Sequence, residues 1–170
     1  MSERSKITAA RFDRGVAIRV EGAGTMLESP VMHAFAERIL AVPDTEDVVV
    51  IDLSACTYVD STFLGGLVSL FKRHGSARPD RFSIYAPAAI RQTLFGTSRL
   101  DRVFSFVEDP PRVAVECLPL EGQSVATREE LGHYVVECHR RLAELGGPEG
   151  ETFGRVADAI ANELTTRRRT

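Results

Sequence analysis

Residues 47–75 read DVVVIDLSACTYVDSTFLGGLVSLFKRHG, and this stretch decides the fold. Val48, Val49, Val50 and Ile51 form an unbroken apolar run. Their β-branched side chains favour the extended chain, and a run that is apolar at every position suits a strand buried on both faces of a largely parallel sheet. From Ser61 the period changes, and Leu64, Leu67, Val68 and Phe71 recur at helical spacing as far as Gly75. Strand and helix meet in a tight turn at Asp60, Ser61 and Thr62, which sets a hydroxyl beside a carboxylate at a helix start. The first backbone N–H groups of a helix lack partners and lie at its positive end, so they can receive an anion. A phosphate placed there brings about −1.5 to −2 of charge. The plainer role for Ser61 is a hydroxyl N-cap, which contributes ~1 kcal/mol.

Working outward, strand and helix patterns alternate. Residues 7–12 and 16–21 read as two strands joined by a turn at Asp13, Arg14 and Gly15. Residues 30–42 follow a helical period through Met32, Phe35, Ala36, Ile39 and Leu40, with Ser29 as the expected N-cap, Pro30 at the first helical position and Pro43 as the stop. Within the helix that starts at Ser61, Gly65 and Gly66 permit a close backbone approach, at a cost of up to ~1 kcal/mol each. Phe82, Ile84 and Tyr85 predict another strand, residues 88–94 a short helix, and residues 100–107 a turn into a last strand closed by Pro110 and Pro111.

The tail has a different texture. Val113, Val115 and Cys117 alternate as an edge strand would. Thr127 and Glu130 have the spacing of a capping box, and Leu131, Tyr134, Val135, Cys138, Leu142 and Leu145 make an apolar stripe behind them. Gly146, Gly147 and Pro148 break the helix, and Phe153, Val156, Ala157, Ile160, Ala161 and Leu164 form a second stripe. The expectation is a helical hairpin whose apolar faces need a partner surface.

Composition narrows the function classes. Of 170 residues 44% are hydrophobic and 26% charged, so a core can be built. A net charge of −3 gives no electrostatic footprint for nucleic acid, and the run Arg167, Arg168, Arg169 reads as a solvated helix end. No apolar run approaches the ~20 residues that span a bilayer, and the first residues, MSERSKIT, lack a signal-peptide core. Cys56, Cys117 and Cys138 have neither disulfide-framework nor zinc spacing, which points to a reducing cytoplasm. His133 and His139, six residues apart and off one helical face, read with Cys138 as a poor metal site and as surface histidines. His74 lies at the opposite end of its helix from Ser61, which rejects a hydrolytic pair built on those two. There is no GxSxG, P-loop or GxGxxG motif, and no cofactor or metal is expected.

Three places carry a family resemblance: Asp52-Leu53-Ser54 at the end of the central strand, Asp60-Ser61-Thr62 followed by Leu64-Gly65 at the helix start, and Leu100-Asp101-Arg102-Val103-Phe104 before the last strand. With the element order, they make residues 7–109 similar to the STAS domain of bacterial anti-sigma-factor antagonists. The resemblance implies an α/β fold with a small mixed β-sheet, helices packed mainly on one face, and a C-terminal helical hairpin outside the minimal domain. The expected division is a STAS-like domain over residues 1–110 and an extension over 111–170. It further implies a non-enzymatic regulatory protein whose phosphoacceptor is Ser61, with Thr62 as the alternative. Asp60, Ser61, Thr62, Phe63 and Leu64, with the exposed side of the helix, would bind an anti-sigma factor that is also a serine kinase, or another signalling protein. The chain departs from the family pattern at Gly22-Ala23-Gly24-Thr25, which lacks the usual aspartate, and at Phe63, where glycine is common. A second expectation is a constitutive scaffold, free of phosphorylation, that homodimerises through the hairpin or docks on a sensory or transport complex. A small-ligand or nucleotide sensor is a third.

Overall fold

In the computed structural model, which describes residues 4–113, 118–120 and 127–168, the valine run lies at the centre of a six-stranded sheet. Strands β1 (Lys6–Phe12) and β2 (Gly15–Gly24) form the antiparallel hairpin expected from their alternation. Strand β3 (Val48–Val59) pairs parallel with β2 and with β4 (Phe82–Tyr85), and β5 (Phe106–Val107) continues the parallel half. The spatial order is β5-β4-β3-β2-β1-β6, in which β6 (Leu118–Pro119) pairs antiparallel with β1. Val115 and Cys117 of the expected edge strand lie outside the described residues.

Parallel neighbours need crossovers, and three helices supply them: α1 (Ser29–Leu40), α2 (Ser61–Leu70) and α3 (Ala88–Phe95). A wider turn at Phe71–Gly75 extends α2, with the Ser76 N–H reaching the Phe71 carbonyl at 2.8 Å. The period of two decides which side chains meet the helices. Val49, Ile51 and Leu53 point into the main core with Ile18, Val20, Phe82 and Ile84, against Met32, Ala36, Phe63, Leu67 and Phe95. Val48, Val50 and Asp52 are also buried but lie on the opposite face, where Pro110, Pro111 and Val113 line a pocket beside Thr8, Ala10, Ala17 and Asp52. The helices of the domain thus cover one face of the sheet.

Several boundaries move from their sequence-based positions. Strand β3 does not end at Asp52-Leu53-Ser54 but runs to Val59, because β2 continues to Gly24 and holds it, with irregular register between Arg19 and Glu21 and between Gly22 and Ala23. Ser29 is the first residue of α1 and not its cap; Glu28 holds the N-cap position with no side-chain cap bond. The hairpin forms as α4 (Arg128–Ala143) and α5 (Gly147–Arg167). Thr127 and Glu130 close the capping box in both directions. Gly146 and Gly147 turn the chain with φ of 77° and 72°, a region where a side chain would be strained, and Pro148 fits the first turn of α5. Arg168 pairs with Glu129 across the open end of the hairpin, and Arg169 lies outside the described residues.

Candidate functional site

The site is built where β3 hands the chain to α2. Asp60 has an extended backbone (φ −92°, ψ 172°) and caps the helix, its Oδ1 accepting from the Phe63 N–H at 2.8 Å. Its other oxygen accepts from the Met26 N–H at 2.8 Å, and its own N–H donates to the Gly24 carbonyl at 3.0 Å. One carboxylate therefore ties the helix start to the loop before α1. Asp60 takes the capping place foreseen as the plainer role for Ser61, which leaves Ser61 as the first helical residue with its hydroxyl uncommitted to the cap.

That hydroxyl meets the hairpin. Ser61 Oγ lies 3.0 Å from Nε2 of His139 on α4. His139 Nδ1 donates to the Val135 carbonyl, which can only accept, at 2.8 Å, and in the neutral ring this leaves Nε2 to accept from Ser61. The imidazole is 5% exposed and meets Phe153 of α5 edge to face. The reading of His139 as a surface histidine is thereby corrected; His133 remains at the surface beside Glu129. The pairing Ser61–His139 joins a hydroxyl to an imidazole, but among the described residues pockets of 230–470 Å³ open elsewhere and neither residue lines them. None of these cavities brings a substrate to this hydroxyl.

The remaining residues of the turn point inward. Thr62 is 3% exposed, Phe63 0% and Leu64 8%. Phe63 fills the space left by Gly24, where an added Cβ would come 3.0 Å from its ring. The two departures from the family pattern are therefore spatial neighbours. The helix face expected to be exposed is covered by α4. A Cβ on Gly65 would lie 2.6 Å from the Cys138 Cβ, and one on Gly66 would lie 2.8 Å from the Tyr134 hydroxyl, so both glycines serve the close approach of α4. Ser29 Oγ donates to the Thr62 carbonyl at 3.4 Å and receives the Tyr134 hydroxyl proton at 2.8 Å. Burial, with Cys138 and Asp60 nearby, pushes the Tyr134 phenol well above its usual range. Burial likewise pushes the Cys138 thiol up to about 12, with the charges of Glu137 and Asp60 adding to it. Lys72 and Glu144 close the outer edge of this contact at 2.6 Å.

Ser29, Tyr134 and His139 were not singled out from sequence as partners of the turn. The signal that could have found them is the pair Gly65-Gly66, since two glycines in a buried helix announce another backbone packed against it. Among the described residues no cluster of three or more His, Cys, Asp or Glu could hold a metal ion, and no helix is long and apolar enough to cross a membrane.

No family model matches the sequence, and no curated protein matches it. Among solved structures, a protein of the DUF3478 family with a SpoIIAA-like fold from Shewanella loihica is 20% identical, with 64% of this chain and 91% of that one covered at a TM-score of 0.44. An anti-sigma factor antagonist from Mycobacterium paratuberculosis is 21% identical, with 64% of this chain and 92% of that one covered at a TM-score of 0.52. The mixed sheet, the helices on one face and the likeness to that antagonist agree: the fold of this chain is STAS-like, with a C-terminal helical hairpin.

Proposed function

We propose that this protein is a regulatory protein-binding module of the anti-sigma-factor-antagonist kind, a kinase substrate and not an enzyme. The observation that carries the reading is the position of Ser61, a hydroxyl at the first residue of α2 whose cap is already supplied by Asp60. Unmodified protein binds an anti-sigma factor with serine-kinase activity, or a related signalling protein, through Asp60 and Ser61 of the turn and through α2, while Thr62, Phe63 and Leu64 hold the turn to the core. In the switching step, Ser61 Oγ attacks the terminal phosphorus of a nucleoside triphosphate held by the kinase. The Oγ–P bond forms as the bond to the nucleoside-diphosphate oxygen breaks, and the hydroxyl proton passes to a base of the kinase. The helix N-terminus tolerates the new charge, whereas Asp60 and an acidic or apolar partner surface do not. Ser61 is preferred to Thr62 because Thr62 is buried.

A second reading is favoured by the hydrogen bond from Ser61 to His139, which keeps the hydroxyl covered. Here the protein is a constitutive scaffold that docks or dimerises without phosphorylation. One face of α4 is spent on α2, so a second copy would use the outer groove of Met26, Leu131, Val135, Ile160 and Leu164. Phosphopeptide mapping of protein recovered from its own cells, with capture of partners by wild type, Ser61→Ala and Ser61→Asp, separates the two. Switching predicts phosphate on Ser61 and loss of the partner by Ser61→Asp. An unmodified Ser61 and identical partners for all three proteins leave only the scaffold.

A further inference from the structure

The hairpin lies where a kinase or a partner would have to dock. His139 Nε2 lies 3.0 Å from Ser61 Oγ and Phe153 backs the imidazole, so a phosphate on that oxygen would need the imidazole to move. Contacts to the domain lie along one flank: Ser61 with His139, Gly65 with Cys138, Gly66, Ser29 and His33 with Tyr134, Lys72 with Glu144, and Leu142 and Phe153 against the core.

The hairpin is also built to hold together by itself. Its N-terminus has a complete capping box, its turn is fixed by two glycines, and Leu164 packs over Gly132 while Arg168 pairs with Glu129. A unit of this kind can open as a whole while the sheet stays folded. Helix α2 carries the mark of the contact, since its two adjacent glycines weaken it as a helix and make room for α4, Gly66 also for Ser29 of α1.

We infer that α4 and α5 form an intramolecular cover over the Ser61 site, which opens to admit the kinase or partner and which phosphate on Ser61 holds open. The inference rests on Ser61 as phosphoacceptor, but the opening can be measured with no kinase present. Cys138 lies beneath the cover at 2% exposure, whereas Cys56 lies in the sheet core at 1%. The full chain is labelled with a maleimide near neutral pH, and each cysteine is followed separately by peptide mass spectrometry.

Gly65→Ala favours α2 as a helix but drives a Cβ into Cys138, and Ser61→Asp sets a carboxylate against His139 and Asp60. Both are expected to speed Cys138 labelling by about tenfold or more, with Cys56 as protected as in wild type. Ser61→Ala should stay near wild type. If Cys138 stays protected in Gly65→Ala and Ser61→Asp, or if Cys138 and Cys56 become reactive together, the hairpin is a fixed part of the core and the inference is overturned. Should Gly65→Ala not fold, His139→Ala and Ser61→Asp make the same comparison. Labelling can succeed where phosphopeptide mapping finds Ser61 unmodified, and fail where Ser61 carries phosphate, so failure of the cover and failure of the phosphoacceptor reading are told apart.

Discussion

At Phe63 a single side chain decides how the turn is used. The ring is fully buried between the sheet and α2, over the bare backbone of Gly24, so it anchors the core and presents nothing to a partner. Phe63→Ala should cost about 3–5 kcal/mol, the range for emptying a buried aromatic site. Gly24→Leu alone should cost about 1–3 kcal/mol by overpacking. Since the two positions share one space, the double variant should be more stable than the sum of the single losses allows. Urea unfolding of the four proteins measures the coupling, and strict additivity would show that the ring and residue 24 do not share that space.

At the scale of elements, α1, α2 and α4 meet around His33. Its Nε2 lies 3.4 Å from Ser69 Oγ and its ring meets Tyr134 edge to face. Burial holds the imidazole below its ordinary pKa of 6.5; Glu37 opposes this, and Arg73 and His74 add to the depression. The unfolded chain therefore takes up this proton at a higher pH than the fold does. The contribution of His33 to stability is complete above pH 6.5, falls as pH drops through 6.5, and is fully lost below the lowered value. His33→Phe keeps an aromatic edge against Tyr134 and should flatten that part of the stability curve. Glu37 acts in a lower window. Although its burial raises its pKa, hydrogen bonds from Arg73 and His74 hold it below its ordinary 4.5, so its contribution is lost only as pH falls below that value. Chemical unfolding between about pH 8 and 5 tests His33 apart from Glu37; an unchanged slope in His33→Phe would assign the pH dependence to other groups.

For the whole molecule, the hairpin and the domain complete one another. The apolar stripe foreseen on α4 is divided between α2 and α5, and Leu142 and Phe153 join the main core cluster. Ending the chain after Pro119 should uncover the α2 flank around Gly65 and Gly66, raise binding of an apolar dye and promote aggregation. Light scattering on the truncated chain checks this. A soluble monomer that binds no dye would mean that the domain does not depend on the hairpin for its surface.

How much of this was legible in sequence follows from the range of each interaction. The valine run, the change of period at Ser61, the capping box at Thr127 and the glycine turn at 146–147 are local, because backbone preference and side-chain period act over a few residues. They determined the elements, the α/β class and the existence of the hairpin. The end of β3 was not local, since Val59 is held by pairing with Gly24 of another strand. Nor was the assignment of the cap to Asp60, whose second oxygen is occupied by the Met26 N–H. The pairing of Ser61 with His139, 78 residues away, depends on where two glycines let one helix settle on another. Local pattern by itself determined that a hydroxyl stands at the start of a helix. Only the tertiary packing decided that this hydroxyl is covered, because long-range contact depends on the space between elements, which no short stretch of chain encodes.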